Sequence, residues 1–288
     1  MNFKNGKELL ELCEKEKCAL SDIMLLREVM ETDRAKEEVL DQMHRTWNIM
    51  KNSAAAPIRS PKKSIGGLIG GEAKRLSEQR TAGRSICGDT LSRALTYAMA
   101  VIENSSAMGL IVAAPTAGSS GIVPGVLLAL QETRGLTDDA VICALFNAGA
   151  VGYLAMRNAT VSGAVGGCQA ETGVAASMAA SAAAELMGGT PQQCLHAAST
   201  VLMNMLGLVC DPIGGLVECP CQGRNAAGAA NALTAAELSL AGIRQPIPFD
   251  EMLDAMYEVG KRLPNEYRET ALGGCAATPT GCSLCSFN

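Results

Sequence analysis

At 288 residues, the chain is near the upper limit of what one hydrophobic core organises, so its length allows one large domain or two small ones. Hydrophobic residues make up 48% of the sequence and charged residues 18%, which excludes an intrinsically disordered chain. The formal net charge of −5 argues against a nucleic-acid-binding surface. Because aromatic residues contribute only 3%, the core must consist of small and aliphatic side chains, which favour closely packed helices over a β-sandwich.

The N-terminal segment, residues 1–51, is predicted to form charged helices. One helix is expected over 7–17, and Ser21 is expected to cap a second, long helix whose apolar residues recur at steps of three and four. Residues 52–71 contain two prolines, two Gly-Gly pairs and a basic cluster, so we expect a loop or linker there. Three basic residues of this stretch are interpreted as solvated, with a substrate-facing role as the alternative: Arg59, Lys62 and Lys63.

The remaining residues, 72–288, are predicted to form one helical body without internal repeats. Thr137 precedes two acidic residues, and Thr190-Pro191 begins a capping-box pattern. Both patterns are typical of helix starts. Alternating strand patterns are almost absent, so the sequence predicts a mainly α fold, a compact, bundle-like domain rich in alanine and glycine. Besides the helix that starts at Thr137, helices are expected over 89–104, 124–133, 194–208, 225–241 and 250–263.

A membrane-spanning helix is the alternative for the uncharged run at 140–156. Such a helix needs about 20 mainly apolar residues, whereas this run has 17 and contains Asn147 and several glycines. We therefore expect it to be a buried helix of a soluble core.

Twelve cysteines are many for a chain that opens with a charged helical segment and not with a secretory signal. We expect a cytoplasmic protein whose thiols are reduced and serve metal binding or catalysis. Three cysteines lie beside glycines at the ends of predicted helices, where a loop can wrap a metal cluster: Cys168, Cys210 and Cys221. Five others lie within or beside helical patterns and are expected to be small core residues: Cys13, Cys18, Cys87, Cys143 and Cys194.

The spacing of the cysteines is a weak signal by itself. No CxxCxxC run of the ferredoxin type occurs, and Cys219-Pro220-Cys221 is too tight for an ordinary zinc knuckle. However, Cys282 and Cys285 form a CxxC pair near the C-terminus. Together with the cysteines at 219 and 221, this pair leaves a zinc site as the alternative.

Four separated motifs resemble the α subunit of bacterial iron–sulfur-dependent L-serine dehydratases. They are AAPTAGSSGIVPGVL at 113–127, SGAVGGCQAETG at 162–173, CDPIGGLVECPCQGRN at 210–225 and ETALGGCAATPTG at 269–281. The resemblance covers nearly everything from Ser60 onward, whereas residues 1–50 match less distinctively.

The resemblance implies a [4Fe–4S] cluster held by Cys168, Cys210 and Cys221, with the fourth iron open to the substrate. It also implies that this iron acts as a Lewis acid on the hydroxyl group of L-serine, whose elimination leads to pyruvate and ammonia. The Ser-Ser-His-Thr motif that this family associates with substrate binding does not occur here. His44 and His196 are interpreted as ordinary helix residues. We therefore expect a β subunit to complete the active site and supply the general base.

Further candidates lie in a loop and in the C-terminal tail. Hydroxyl groups ahead of the helix near Pro124 would suit a substrate carboxylate, with a tight helix–helix turn as the alternative. The candidate residues in this loop are Thr116, Gly118, Ser119 and Ser120. In single-chain relatives of the family a C-terminal cysteine reaches the open iron, and the tail cysteines here are either such a thiol or free: Cys275, Cys282 and Cys285.

Two other functions stay open. A desulfidase acting on L-cysteine would use the same cluster, and a non-catalytic metal-binding scaffold would hold iron–sulfur or zinc. A pyridoxal phosphate enzyme is disfavoured, because Lys261 is the one lysine beyond Lys74 and no phosphate-binding loop surrounds it.

Overall fold

The structure is a computed structural model that describes residues 2–284. Within this range the chain forms helices and turns and no β-sheet. One isolated β-bridge joins Cys210 and Arg268. The mainly α prediction is therefore confirmed. The thirteen α-helices of the described range are α1 (Gly6–Glu16), α2 (Leu20–Thr32), α3 (Lys36–Arg59), α4 (Glu72–Thr81), α5 (Gly88–Ser106), α6 (Ile122–Arg134), α7 (Asp138–Asn158), α8 (Gly163–Gly166), α9 (Val174–Leu186), α10 (Pro191–Asn204), α11 (Cys221–Leu240), α12 (Phe249–Arg262) and α13 (Pro279–Leu284).

Helix α9 forms the centre of the fold. Its sequence, VAASMAASAAAEL, is almost uniformly small and apolar, and every residue from Val174 to Ala184 is buried. A helix that is apolar on all sides has to be surrounded by other elements, and α9 packs against α6, α7, α10 and α11. The ends of these neighbouring helices therefore lie close to the ends of α9.

The backbones of α5 and α6 touch where the two helices cross. A Cβ atom at Gly125 would lie 2.9 Å from the carbonyl oxygen of Ala94, and one at Gly121 would overlap with the carbonyl oxygen of Ala98. Glycine is required at both positions because any side chain would push the helices apart. The close helix packing expected from the low aromatic content is present at this crossing.

Two predictions about the N-terminal helices are wrong. Ser21 does not cap a helix, because it lies buried inside α2. Asp22 performs the capping role and accepts a hydrogen bond from the Ala19 N–H (3.0 Å). The long predicted helix is also divided into α2 and α3 at Asp33, whose backbone is left-handed (φ 53°).

The predicted linker at 52–71 begins later than expected, because α3 continues to Arg59. Alanines at 54–56 have high helix propensity, and Pro57 is buried together with Ser53. Packing thus extends the helix through a proline that disfavours it. The basic residues of this stretch are exposed, as the solvated interpretation predicts: Arg59, Lys62 and Lys63.

Helix α7 contains the uncharged run for which a membrane span was the alternative. Within residues 2–284, α7 is the helix whose length and composition would allow a membrane crossing, but 67% of its most apolar window is buried inside the protein. It packs against α2 and α9. This burial is typical of a core helix.

The start of α7 is tied to two other helices through one carboxylate. Asp138 accepts hydrogen bonds from the Trp47 indole N–H (3.0 Å) and the Lys51 ammonium (2.7 Å), both on α3. It also accepts one from the Gln131 amide of α6 (2.8 Å). These bonds, with that of Lys51 the strongest, lower the pKa of Asp138 to about 2. The folded state therefore stabilises the ionised carboxylate.

Replacement of Asp138→Asn is expected to lower the free energy of unfolding by about 1 kcal/mol near pH 7, since charge-assisted bonds at a partly exposed position are lost. Because the pKa is lower in the folded than in the unfolded state, this stabilisation is complete above about pH 4 and is lost as the pH falls toward about 2. The difference between wild type and variant in urea unfolding should therefore shrink as the pH falls from about 4 toward about 2. The matched control is Asp139→Asn, which changes the neighbouring exposed carboxylate; equal effects of the two variants would contradict this assignment.

Candidate functional site

Cys168, Cys210 and Cys221 come from three separate segments and meet in one region. Cys168 precedes a single π-helical turn (Gln169–Gly173) that leads into α9, Cys210 follows α10, and Cys221 is the first residue of α11. Because α9, α10 and α11 pack together, these helix ends are neighbours. The charge of Cys168 acts on both other thiols, and that of Cys221 acts on Cys210. The three thiols therefore belong to one site.

The three thiols lie in surroundings with little water. Cys168 and Cys210 are each 4% exposed. Burial is the main cause that raises the pKa of all three thiols. Nearby thiols and Glu171 also raise the pKa of Cys210 and of Cys221, and the pKa of Cys221 reaches about 12. Without a metal the thiols stay protonated, and a positively charged metal centre would displace the protons and compensate the thiolate charges.

Three thiols from three segments are a donor set that an iron–sulfur cluster can use. Residues 2–284 contain no group of three or more His, Cys, Asp or Glu side chains arranged to hold one ion. In a cluster each thiolate binds a different iron, so the sulfurs need not converge on one point. The alternative zinc site includes Cys285, which lies outside the described residues, while Cys219 and Cys282 are exposed.

Glu171 lies beside the cysteines in the π-helical turn. Its Oε1 accepts a hydrogen bond from the Thr116 hydroxyl (2.9 Å), and its Oε2 lies 3.8 Å from the Cys210 sulfur. Burial raises the pKa of Glu171 against the opposing effect of the Thr116 bond. Sequence reasoning gave Glu171 no role; the available signal was an acidic residue within a cysteine motif of a weakly charged region.

The loop before α6 divides its predicted substrate-binding residues between two environments. Thr116 faces the carboxylate of the site and lies 3.0 Å from the Ser119 hydroxyl. Ser119 and Ser120 are fully buried, and Ser120 donates to a carbonyl of its own loop (2.7 Å). The Gly118 carbonyl accepts a hydrogen bond from Asn225 on α11 (2.8 Å). Substrate contact by these residues stays a prediction, and Thr116 is best placed for it.

Asp211 and Arg224 connect two of the cysteine segments. Asp211 follows Cys210 and is only 2% exposed, and Arg224 lies one helical turn after Cys221. The guanidinium is 2.6 Å from the Asp211 Oδ1, held by charge without an aligned hydrogen bond, and donates to the Val209 carbonyl (2.8 Å). The ion pair therefore restrains the positions of Cys210 and Cys221 relative to each other. Sequence reasoning did not identify either residue.

The C-terminal segment is attached to the same carboxylate. Asp211 accepts a hydrogen bond from the Cys275 N–H (2.6 Å). Gly274, which has a left-handed backbone (φ 59°), packs so closely that a Cβ atom would overlap with this carboxylate. The tail thus lies against the cysteine loop. Cys282 is exposed, and Cys285 lies outside the described residues, so a tail thiol that reaches the site stays a prediction.

The other candidate residues lie in helices. His44 contacts the Asp139 carboxylate at the start of α7 (3.4 Å), and His196 is half-buried on α10. Of the five cysteines expected in the core, two are buried and two are half-buried. The core prediction is wrong for Cys143, which is exposed on the outer side of α7.

Comparison with known proteins shows the class to which this fold and site belong. The family model of the serine dehydratase alpha chain matches residues 14–276. The chain is 46% identical over 282 residues to a probable L-serine dehydratase, alpha chain, of Bacillus subtilis (strain 168), covering 98% of this chain and 94% of the relative. It is 41% identical over 279 residues to the L-serine dehydratase, alpha chain, of Peptoniphilus asaccharolyticus, covering 97% and 96%.

A longer relative is matched over part of its length. The chain is 36% identical over 281 residues to the L-serine dehydratase TdcG of Escherichia coli (strain K12), which covers 96% of this chain and 62% of that protein. Dehydratases of this kind are lyases. The chain belongs to the serine dehydratase alpha chain family, and the resemblance of its four motifs is confirmed.

Replacement of Asp211→Asn is expected to lower the free energy of unfolding by about 3 kcal/mol, because the half-buried Arg224 loses its charge partner. The Cys275 amide should also exchange its hydrogen faster, since its acceptor is weakened. Urea unfolding and hydrogen exchange of the metal-free chain measure the two effects. Glu258→Gln, which breaks an exposed ion pair with Lys261, is the control and should change neither quantity measurably. An Asp211→Asn variant as stable as this control would refute the role of the buried pair.

Proposed function

We propose that this chain is the α subunit of an L-serine dehydratase and holds a [4Fe–4S] cluster through Cys168, Cys210 and Cys221. The observation that carries the proposal is the meeting of three thiols, two buried and one half-buried, from three segments in a chain of this family. The names of the relatives supply L-serine as the substrate. When bound, a cluster with three thiolate ligands supplies an iron with an open position that acts as a Lewis acid.

The proposed reaction removes the Cα proton and the β-hydroxyl group of L-serine as water. The aminoacrylate that results tautomerises and takes up water to give pyruvate and ammonia. In this chain, α9, α10 and α11 pack against one another, and Cys168 and Cys210 are left only 4% exposed. The Asp211–Arg224 pair fixes the two later cysteine segments, and Thr116 and Glu171 line the adjoining space.

The base that removes the Cα proton is assigned to a β subunit. His44 pairs with the start of α7, and the exposed Lys261 pairs with Glu258 on α12, so both groups have partners away from the cysteines. The words "alpha chain" in the relatives' names support a second chain. The longer Escherichia coli relative, of which this chain covers 62%, has the length for an additional part.

We also propose that the enzyme works in the cytoplasm. None of the eleven cysteines within residues 2–284 forms a disulfide. Reduced thiols are needed to bind a cluster, and a reducing compartment maintains them.

Substitution of Cys168→Ser, Cys210→Ser or Cys221→Ser is expected to remove nearly all bound iron and sulfide, because each change leaves one iron without its thiolate. The wild-type chain should hold about four irons and four sulfides. Analysis of iron, acid-labile sulfide and zinc in protein purified without oxygen measures this. The matched control is Cys219→Ser, an exposed cysteine two positions before Cys221, and it should keep the cluster. Loss of the cluster in this control with retention in Cys221→Ser would show that the ligand assignment is wrong.

The cluster-loaded α chain combined with its β chain is expected to form pyruvate from L-serine. Without the β chain the rate should fall by about 100-fold or more, since the general base is missing. Pyruvate release from L-serine and sulfide release from L-cysteine are measured side by side. Faster turnover of L-cysteine would favour the desulfidase, and a fully loaded pair that converts neither amino acid would exclude the proposed activity.

A further inference from the structure

We propose that Glu171 binds the α-ammonium group of the substrate and so restricts the site to amino acids. The inference rests on the proposed function, because it takes Cys168, Cys210 and Cys221 to mark the place where the substrate reacts. It adds a specificity-determining residue that acts by direct contact. Its support comes from the partners of this carboxylate, from the glycines that lie against it and from its position beside Cys210.

Glu171 is an acid without a cation. Within the described residues 2–284, no lysine, arginine or histidine forms an ion pair with it, and its hydrogen-bond donors are the Thr116 hydroxyl and the Cys210 thiol. Arg224, whose charge acts on Cys168 and Cys221, is paired with Asp211. Removing a carboxylate from water is unfavourable unless charges or donors compensate it. A ligand that carries a positive group with N–H donors would supply what this carboxylate lacks.

Two glycines lie against the carboxylate, at positions where a side chain would crowd it. A Cβ atom at Gly163 would lie 2.7 Å from the Glu171 Oε2 and 3.0 Å from the Cys210 sulfur. One at Gly118 would lie 3.4 Å from the Glu171 Oε1. Side chains at these positions would crowd the Glu171 carboxylate and, at 163, the Cys210 sulfur, and would hinder access of a ligand to Oε1 and Oε2. The neighbouring residues of α8, Ala164 and Val165, are exposed, so this part of the site lies close to the surface.

The position of Oε2 relates the ammonium group to the reacting atoms. Oε2 lies 3.8 Å from the Cys210 sulfur, so a group bound to it adjoins the cysteine site. In L-serine the nitrogen is bonded to Cα, and Cα is bonded to Cβ, the carbon that bears the hydroxyl group. An ammonium group held by Glu171 would therefore keep both reacting carbons beside the three cysteines, with Thr116 orienting the other carboxylate oxygen.

The test uses the cluster-loaded α chain with its β chain. Glu171→Gln keeps the shape of the side chain and removes its charge. We expect it to raise KM for L-serine by about 10- to 100-fold, as loss of a charge-assisted bond does, with kcat little changed. Binding of 3-hydroxypropanoate, which is L-serine without the ammonium group, is followed by calorimetry without oxygen and should change less than about 3-fold. Iron and sulfide contents should stay at the wild-type level.

Two variants serve as comparisons. Thr116→Val removes the bond to Oε1, together with the contact to the Ser119 hydroxyl, and should raise KM for L-serine by about 2- to 10-fold. Glu269→Gln removes an exposed carboxylate whose charge also acts on Glu171, and should change KM by less than about 3-fold. An effect of Glu269→Gln as large as that of Glu171→Gln would show that general negative charge, and not a specific contact, attracts the substrate.

Three other outcomes of Glu171→Gln would overturn the assignment. A fall in kcat at unchanged KM would make Glu171 a proton-transfer group. Equally weakened binding of L-serine and 3-hydroxypropanoate would mean that the ammonium group is not recognised. Loss of iron would mean that Glu171 has a structural role. Failure of the proposed function is a separate result, seen when the wild-type pair converts no L-serine; it would overturn both proposals.

Discussion

The buried ion pair between Asp211 and Arg224 is the interaction on which the arrangement of the site depends. One oxygen of the Asp211 carboxylate pairs with the Arg224 guanidinium, and the other accepts a hydrogen bond from the Cys275 N–H. Asp211 therefore connects the cysteine loop, helix α11 and the tail. A buried pair of this kind contributes little net stability compared with apolar packing, but breaking it is costly. Its role is therefore to specify where Cys210 and Cys221 lie.

Small side chains bring the third cysteine into the same site. Because α9 consists largely of alanine and serine, its neighbours approach closely and their ends meet near Cys168. The same holds where α12 passes α8: a Cβ atom at Gly260 would lie 2.7 Å from the Cα atom of Gly166. The composition that excluded an aromatic core is thus the one that allows helix ends to form a site without a sheet.

Sequence reasoning succeeded where the determinant is local. Thr137 and Thr190 cap α7 and α10 as predicted, accepting hydrogen bonds from the N–H groups of Ala140 and Gln193 (both 3.3 Å). It failed where packing decides. Burial places Ser21 inside a helix, and packing carries α3 beyond its expected end.

The candidate site shows the same division. The three cysteines stand in recognisable motifs with glycines beside them. The roles of Glu171 and Asp211 could not be predicted, because a carboxylate acquires its function from the partners that the fold places around it. Asp211 meets an arginine and the tail, whereas Glu171 meets the Thr116 hydroxyl and the Cys210 thiol.

The central claim of this account is that L-serine reacts at an iron that has no cysteine ligand. The most direct measurement is the Mössbauer spectrum of the ⁵⁷Fe-loaded α and β chains, recorded without oxygen before and after addition of L-serine. We expect about one quarter of the iron signal to change on addition of L-serine, and the remainder, assigned to irons held by Cys168, Cys210 and Cys221, to stay as it was. A spectrum that does not change at saturating L-serine, while pyruvate is being formed, would contradict it.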